Sequence, residues 1–238
     1  MLGAGVAGFV QGLSGFAMAL VVTVFWSGLM APATAAPLIV ISSVFGQLLS
    51  LPAIWPGLNW RRAAPMIGGG LLGVGPGVLA LPFLEPHLFR LGVGVLLCVF
   101  APAMLLAARL PQVRWGGGAA DAVAGFVGGA MGGMAGLAGP APILWCALRR
   151  WERDEQRATF QSFLLAVQGA GLLSYAASGL ITAEVLRLAA WTVPCVLLPS
   201  LLGARLYSRL NAAAFRRVVL GILALTGVAL VGGALVAR

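Results

Sequence analysis

Gly125–Trp145, GFVGGAMGGMAGLAGPAPILW, is the stretch on which the fold turns. It is apolar from end to end, yet it carries Gly125, Gly128, Gly129, Gly132, Gly133, Gly136 and Gly139, then Pro140 and Pro142. An interior glycine costs a helix up to about 1 kcal/mol against alanine, and an interior proline about 3. A segment this apolar belongs in lipid or in a core, and a segment this poor at forming helix is interrupted. The pattern has an echo near the N-terminus. Gly8-Phe9-Val10-Gln11-Gly12-Leu13-Ser14-Gly15 lines up with Gly125-Phe126-Val127-Gly128-Gly129-Ala130-Met131-Gly132, both reading GFVxGxxG, 117 residues apart. We read the two as copies of one broken membrane helix with the glycines at the break.

Composition supports a membrane setting. The chain has 238 residues, of which 61% are hydrophobic and 9% charged, with a mean hydropathy of +1.01. A soluble domain carries about 25% charged residues, so the chain reads as a polytopic membrane protein. All 15 basic residues are arginine. They sit between apolar runs, as cytoplasmic loops require, and this placement argues against nucleic acid as a partner. Cys98, Cys146 and Cys195 each lie in an apolar run without metal-ligand spacing and read as small buried hydrophobes. No metal and no cofactor are expected. The N-terminal MLGAGVAGFVQ lacks a basic region and does not read as a cleavable signal.

Hydropathy divides the chain into eight segments. The first half, residues 1–110, holds the broken Gly3–Met30, then Thr34–Trp55, Ala63–Phe83 and Leu88–Leu110. A linker at 111–120 carries Arg114 and Gly116-Gly117-Gly118. The second half, 121–238, holds the broken Ala122–Leu148, then Ala158–Ile181, Leu188–Tyr207 and Phe215–Val236. Further echoes keep the same order: Leu48-Leu49-Ser50 with Leu172-Leu173-Ser174, and Leu71-Leu72-Gly73 with Leu201-Leu202-Gly203. The fold class is therefore an all-α polytopic membrane protein of two repeats, each of four hydrophobic segments opening on a broken or re-entrant helix.

The arginines choose the orientation of the repeats. If all eight segments cross, the arginines divide nine to six between the two sides. If both broken segments enter and leave on one face, only Arg90, Arg187 and Arg238 of the 15 fall on the opposite side, leaving twelve together. The second arrangement fits the positive-inside rule and makes the halves inverted. A broken segment of this length holds two half-helices and a turn, but not two full spans.

The two GFVxGxxG openings of four-segment halves, together with Leu201–Val231 and Ala63–Leu97, resemble the TauE/SafE sulfite-exporter family of membrane transporters. The resemblance covers nearly the whole chain. It implies a secondary transporter for sulfite, a sulfonate or a related small organosulfur anion, placed in the cell inner membrane as a multi-pass protein. Ser14-Gly15-Phe16-Ala17 departs from the family's glycine run.

Non-helical backbone inside a bilayer persists only where it is buried in protein or lines a cavity, and inverted-repeat transporters bind their cargo at such breaks. The candidate substrate-binding residues are accordingly Gln11, Gly12, Ser14 and Gly15 in the first break and Gly129, Gly132, Gly133 and Gly136 in the second. Free N–H groups at half-helix ends suit an anion. Gln47 and Gln168, each about halfway along the second segment of its half, are candidate ligands to the anion's oxygens. The same residues as plain helix-packing groups form the competing reading. Ser42, Ser43, Gln161 and Ser162 are weaker candidates. No carboxylate lies mid-span, which disfavours an acidic proton relay.

One loop histidine, His87, and no mid-span acid give an intramembrane enzyme little to work with. An anion channel stays open as an alternative, because broken helices also build pores. The expected partners are a small anionic substrate and the lipid bilayer, with self-association into a homo-oligomer compatible. Cysteines placed singly at positions 59 and 152 should label from one face of the membrane, and a cysteine at 87 from the other. Labelling of 59 and 152 from opposite faces would exclude the inverted arrangement.

Overall fold

The computed structural model describes residues 2–14, 18–26, 30–54, 57–107, 109, 111–207, 220, 221, 223–225, 227, 228 and 230–233. Its elements are α1 (Leu2–Ser14), α2 (Met18–Trp26), α3 (Pro32–Ile54), α4 (Trp60–Ala80), a 3-10 turn at Leu81–Phe83, α5 (Pro86–Leu106), α6 (Gly117–Ala135), α7 (Pro140–Arg149), α8 (Arg153–Ala177) and α9 (Ala183–Tyr207). A last apolar helix, α10, follows at Leu223–Gly233. No strand occurs among the described residues. Trp60–Phe83, Pro86–Leu106 and Ala183–Gly203 are long and apolar enough to cross a membrane.

Among the described residues, the broadest helix contact is α4 against α6. Gly69, Gly73 and Gly77 recur every fourth residue on α4, and Gly125, Gly129 and Gly133 do so on α6. A Cβ added at Gly69 would run into the Ala122 carbonyl, at Gly73 into that of Phe126, and at Gly77 into that of Ala130. Reciprocally, a Cβ on Gly125 would meet the Met66 carbonyl, on Gly129 that of Gly70, and on Gly133 that of Val74. The contacts advance in step, so the helices run parallel with their backbones touching. Lipid supplies little hydrophobic drive for helix association, and small residues allow this approach. α1 packs on α9 in a related way, with Gly8 against the backbone of Val196.

Both broken segments fold back on themselves. In the second, the Trp145 indole of α7 donates to Asp121 Oδ1 near the start of α6 at 2.7 Å. Further along, Gly128 faces Pro142 and Gly132 faces Ala138. In the first, Gly3 of α1 lies against Phe25 of α2.

The second break is narrower than the glycine pattern predicts. Gly129, Gly132 and Gly133 sit inside regular α6, and the helix ends only at Gly136, which is left-handed at φ 71°. Gly129 and Gly133 keep their helix here because their bare backbone face is covered by α4, while Gly132 faces Ala138 and Val167. In the first segment Gly12 is helical within α1, and Gly15 lies outside the described residues. Boundaries also move: α6 takes up Gly117–Ala120 from the expected linker, and α8 and α9 start at Arg153 and Ala183, each five residues ahead of the expected Ala158 and Leu188.

One end of the molecule gathers the loops rich in arginine. Asn59 Nδ2 donates to Glu155 Oε1 at 2.7 Å, and Arg62 forms an ion pair with Glu155. The Val113 N–H donates to the Leu148 carbonyl at 3.1 Å. Loops 57–59, 111–116 and 150–152 therefore meet there, together with the N-termini of α4, α6 and α8. Arg209, Arg216, Arg217 and Arg238 lie outside the described residues.

Substitution Gly129→Val should lower stability by about 3 kcal/mol, because the Gly70 carbonyl cannot retreat from the new side chain. Gly68→Ala, whose Cβ meets nothing within 4 Å, should leave it unchanged or slightly raised. Thermal unfolding of the purified protein in detergent checks both, and an equal loss in the two variants would count against the close crossing.

Candidate functional site

Met18, the first residue of α2, and Gly136, at the end of α6, rest on one face of α3. Ser43 Oγ donates to Met18 Sδ at 3.6 Å, which docks the start of α2. One turn away, Ile39 touches Gly136, where a Cβ would lie 3.0 Å from the Ile39 side chain. Ser43 is the middle residue of the 23-residue α3, so Met18 and Gly136 lie half-way along this helix. A further turn on is Gln47, buried. Beside it Gly46 receives the Gln11 amide of α1 so closely that a Cβ there would overlap Gln11 Nε2. The stripe Ile39, Ser43, Gly46 and Gln47 thus collects Met18, Gly136 and two of the candidate glutamines.

α8 closes the other side. Val167 approaches Gly132 and Gly70, and Gln168 follows it, buried. Tyr175, wholly buried, donates its hydroxyl to the carbonyls of Gly133 at 2.5 Å and Gly132 at 3.3 Å. The Gly132 carbonyl also accepts the N–H of Gly136 at 2.8 Å. The last turn of a helix leaves its carbonyls without helical partners. Tyr175 supplies one and offsets the negative end of α6 where the turn meets α3 and α8.

The candidate residues thus fall into two neighbouring groups. Gln11, Gly12 and Gln47 belong to α1 and α3. Gly132, Gly136 and Gln168 belong to α6, the second turn and α8, and α3 packs on α8. The Ser14 side chain and Gly15 lie outside the described residues. Gly129 and Gly133 point their bare faces at α4. The start of α7 offers fewer donors than a free helix end does. Pro140 and Pro142 carry no N–H, which leaves Ala141 as the N–H bearer among its first three residues.

Several polar atoms in this interior lack a hydrogen-bond partner, among them Gln11 Oε1, Ser42 Oγ and Gln168 Oε1. A buried polar atom left unsatisfied costs about 1–3 kcal/mol. A carboxamide exchanges its oxygen and its NH2 by turning about its last torsion, so each glutamine can present either a donor or an acceptor. The arrangement suits a ligand with several acceptor oxygens that needs orientation without a full counter-charge. Among the described residues, no group of three or more His, Cys, Asp or Glu side chains is placed to hold a metal.

A model of the family described as Sulfite exporter TauE/SafE matches residues 1–230. The chain is also 32% identical over 229 residues to a protein of Cupriavidus necator described as a probable sulfite/organosulfonate exporter TauE, covering 94% of this chain and 88% of that one. No solved structure matches. The chain belongs to the TauE/SafE family. It is a multi-pass membrane protein of a transporter family, and not an enzyme.

Two features of this TauE/SafE member escape a sequence reading. Tyr175 is one of only two tyrosines, but nothing in its neighbours marks it as the cap of a helix more than 40 residues upstream in sequence. The other feature is at the loop end. Arg149 lies 3.5 Å from the buried Asp121 and over the rings of Trp145 and Trp151, at 5.7 and 5.8 Å. The charges of Asp121 and Arg149 are visible in sequence, but their 28-residue separation hides the pairing. Tyr175→Phe should cost about 1–2 kcal/mol of stability by leaving the Gly133 carbonyl without its donor. Thermal unfolding measures this, and an unchanged midpoint would show that the cap is dispensable.

Proposed function

We propose that this protein is a secondary transporter that carries sulfite or a small organosulfonate across the cell inner membrane. The anion site lies at the middle of α3, where Met18 and Gly136 dock. The observation that carries the reading is that Met18 and Gly136, one beside each break, dock a single helical turn apart at the middle of α3. Gln11, Gln47 and Gln168 supply amide donors to the oxygens of the cargo. The bare backbone at Gly12, Gly132 and Gly136 lets the chain approach it without side chains, and Ser14 and Gly15 are assigned to the site on the sequence motif alone. Gly129 and Gly133 serve the site indirectly, by fixing α6 on α4. The family match and the name of the Cupriavidus necator relative support the substrate class.

The packing supports two inverted repeats, 1–110 and 121–238. α4 of the first half packs on α6 of the second, and α9 of the second on α1 of the first. The hairpins α1–α2 and α6–α7 then correspond, and α3 packs on its counterpart α8. The arginine-bearing loops at one end read as the cytoplasmic face.

Amide donors hold an anion by hydrogen bonds, and each is worth about 1.4 kcal/mol, or tenfold in affinity. Gln47→Leu and Gln168→Leu should each raise half-saturation for sulfite about tenfold in proteoliposomes, with maximal rate falling less. Taurine and methanesulfonate, tried beside sulfate and acetate, would define the cargo. Unchanged half-saturation in both variants would remove the amides from the site.

A further inference from the structure

At the arginine-rich end the loops enclose an open recess of about 560 Å³, lined by Arg62, Arg114, Arg149, Arg150, Trp151 and Glu155, with Gln112, Val113 and Glu152 between them. Four arginines stand there against two glutamates. The recess lies near Asp121, at the far end of α6 from Gly136. Fifteen residues of helix separate the two, about 22 Å, so this is a place apart from the central site.

Its walls are braced. Gln112 Nε2 donates to the Arg149 carbonyl at 3.0 Å, and an Arg149 guanidinium nitrogen donates to the Trp115 carbonyl at 3.1 Å. Arg62 lies 4.9 Å over the Trp151 ring, and Arg149 shares that ring from 5.8 Å. Trp145, edge-on to Trp115 at 6.2 Å, continues the stack. The N-termini of α4, α6 and α8 converge on the same end, so helix dipoles add to the positive field.

The arginines do not share one status. Arg149 is held by Asp121 with its side chain 13% exposed, whereas Arg62 is 40% exposed and its partner Glu155 20% exposed. Glu155 also accepts from Asn59. A half-exposed ion pair contributes little to stability, because solvent screens it. Arg62 can therefore exchange its carboxylate for another oxyanion at small cost. Guanidinium pairs bind such groups through two parallel N–H donors.

We propose that this recess binds a tetrahedral or pyramidal oxyanion, of the sulfonate or sulfite class, before it passes to the central site. Glu155 is the resident anion that occupies Arg62 until the cargo displaces it. Arg114, which donates from Nε to Gln112 Oε1 at 3.1 Å, and Arg150 complete the charge. The identity of the cargo rests on the transport reading above; the binding itself does not. An anionic lipid headgroup shares the chemistry, and the experiment separates the two sources.

The full chain is placed in phosphatidylcholine nanodiscs and titrated with sodium methanesulfonate, with tryptophan fluorescence as the readout and sodium chloride as the ionic-strength control. A saturable change, absent from Trp151→Phe and absent with chloride, is expected. Glu155→Gln should lower half-saturation at least threefold, because the competitor loses its charge. Arg114→Gln, at an exposed position that leaves the helix contacts intact, should raise it about tenfold. No saturable change, or a Glu155→Gln protein with wild-type half-saturation, would overturn the proposal. So would a signal that appears on adding phosphatidylglycerol and does not respond to methanesulfonate, which would make the recess a lipid site. A normal titration alongside Gln47→Leu and Gln168→Leu variants of wild-type transport would refute the central site and leave the recess standing.

Discussion

Backbone contact between α4 and α6 is the constraint on which the rest of the structure depends. In lipid, apolar side chains gain little by leaving one apolar surface for another, so helix pairs are held by close packing. Six glycines, three on each helix, bring carbonyls and Cα atoms to a separation that no other residue permits. The same contact carries α6 through a glycine-rich sequence that would fray in water. It also sets the height at which α6 ends, and so the level of Gly136 and of the turn into α7.

The hairpin then needs two further restraints. At the mouth, the Asp121 carboxylate takes the Trp145 indole N–H and faces Arg149, which ties the start of α6 to the end of α7. At the turn, Tyr175 caps the Gly133 carbonyl and Ile39 receives Gly136. The first restraint is charged and lies at the loop end. The second is neutral and lies deep, as the cost of burying charge requires. On the transport path proposed above, the anion leaves the guanidinium partners of the recess for the amides of Gln11, Gln47 and Gln168. That change matches a carrier's need to attract cargo from water, yet bind it loosely enough to release it.

Among the described residues, buried polar groups are few, and most lie on α3 and α8, with Gln11 on α1 and Thr192 and Ser200 on α9. Gln11, Ser42 and Gln168 keep atoms without partners where almost every neighbour is apolar. A fold that needed them only for cohesion would pair them, because each orphaned atom weakens it. The proposed site would give these atoms their partners.

Much of this was legible in the residues. The hydropathy gives the membrane class, GFVxGxxG at Gly8 and Gly125 gives two broken segments, and the arginine distribution groups the loops that meet at Glu155. These are one-dimensional signals, set by transfer from water to lipid and by the glycine and proline penalties, and they need no knowledge of neighbours. The placement of the glycines was not legible. GxxxG spacing marks a bare helix face equally well when that face lines a cavity and when it meets another helix. Only the approach of Gly70 and Val74 carbonyls assigns Gly129 and Gly133 to the crossing and leaves Gly136 at the break. Tyr175 and the Arg62–Glu155 pair were hidden for the same reason. Each acts across 42 or 93 residues of chain, and a hydrogen bond or ion pair between distant residues exists only once helix packing has brought them together.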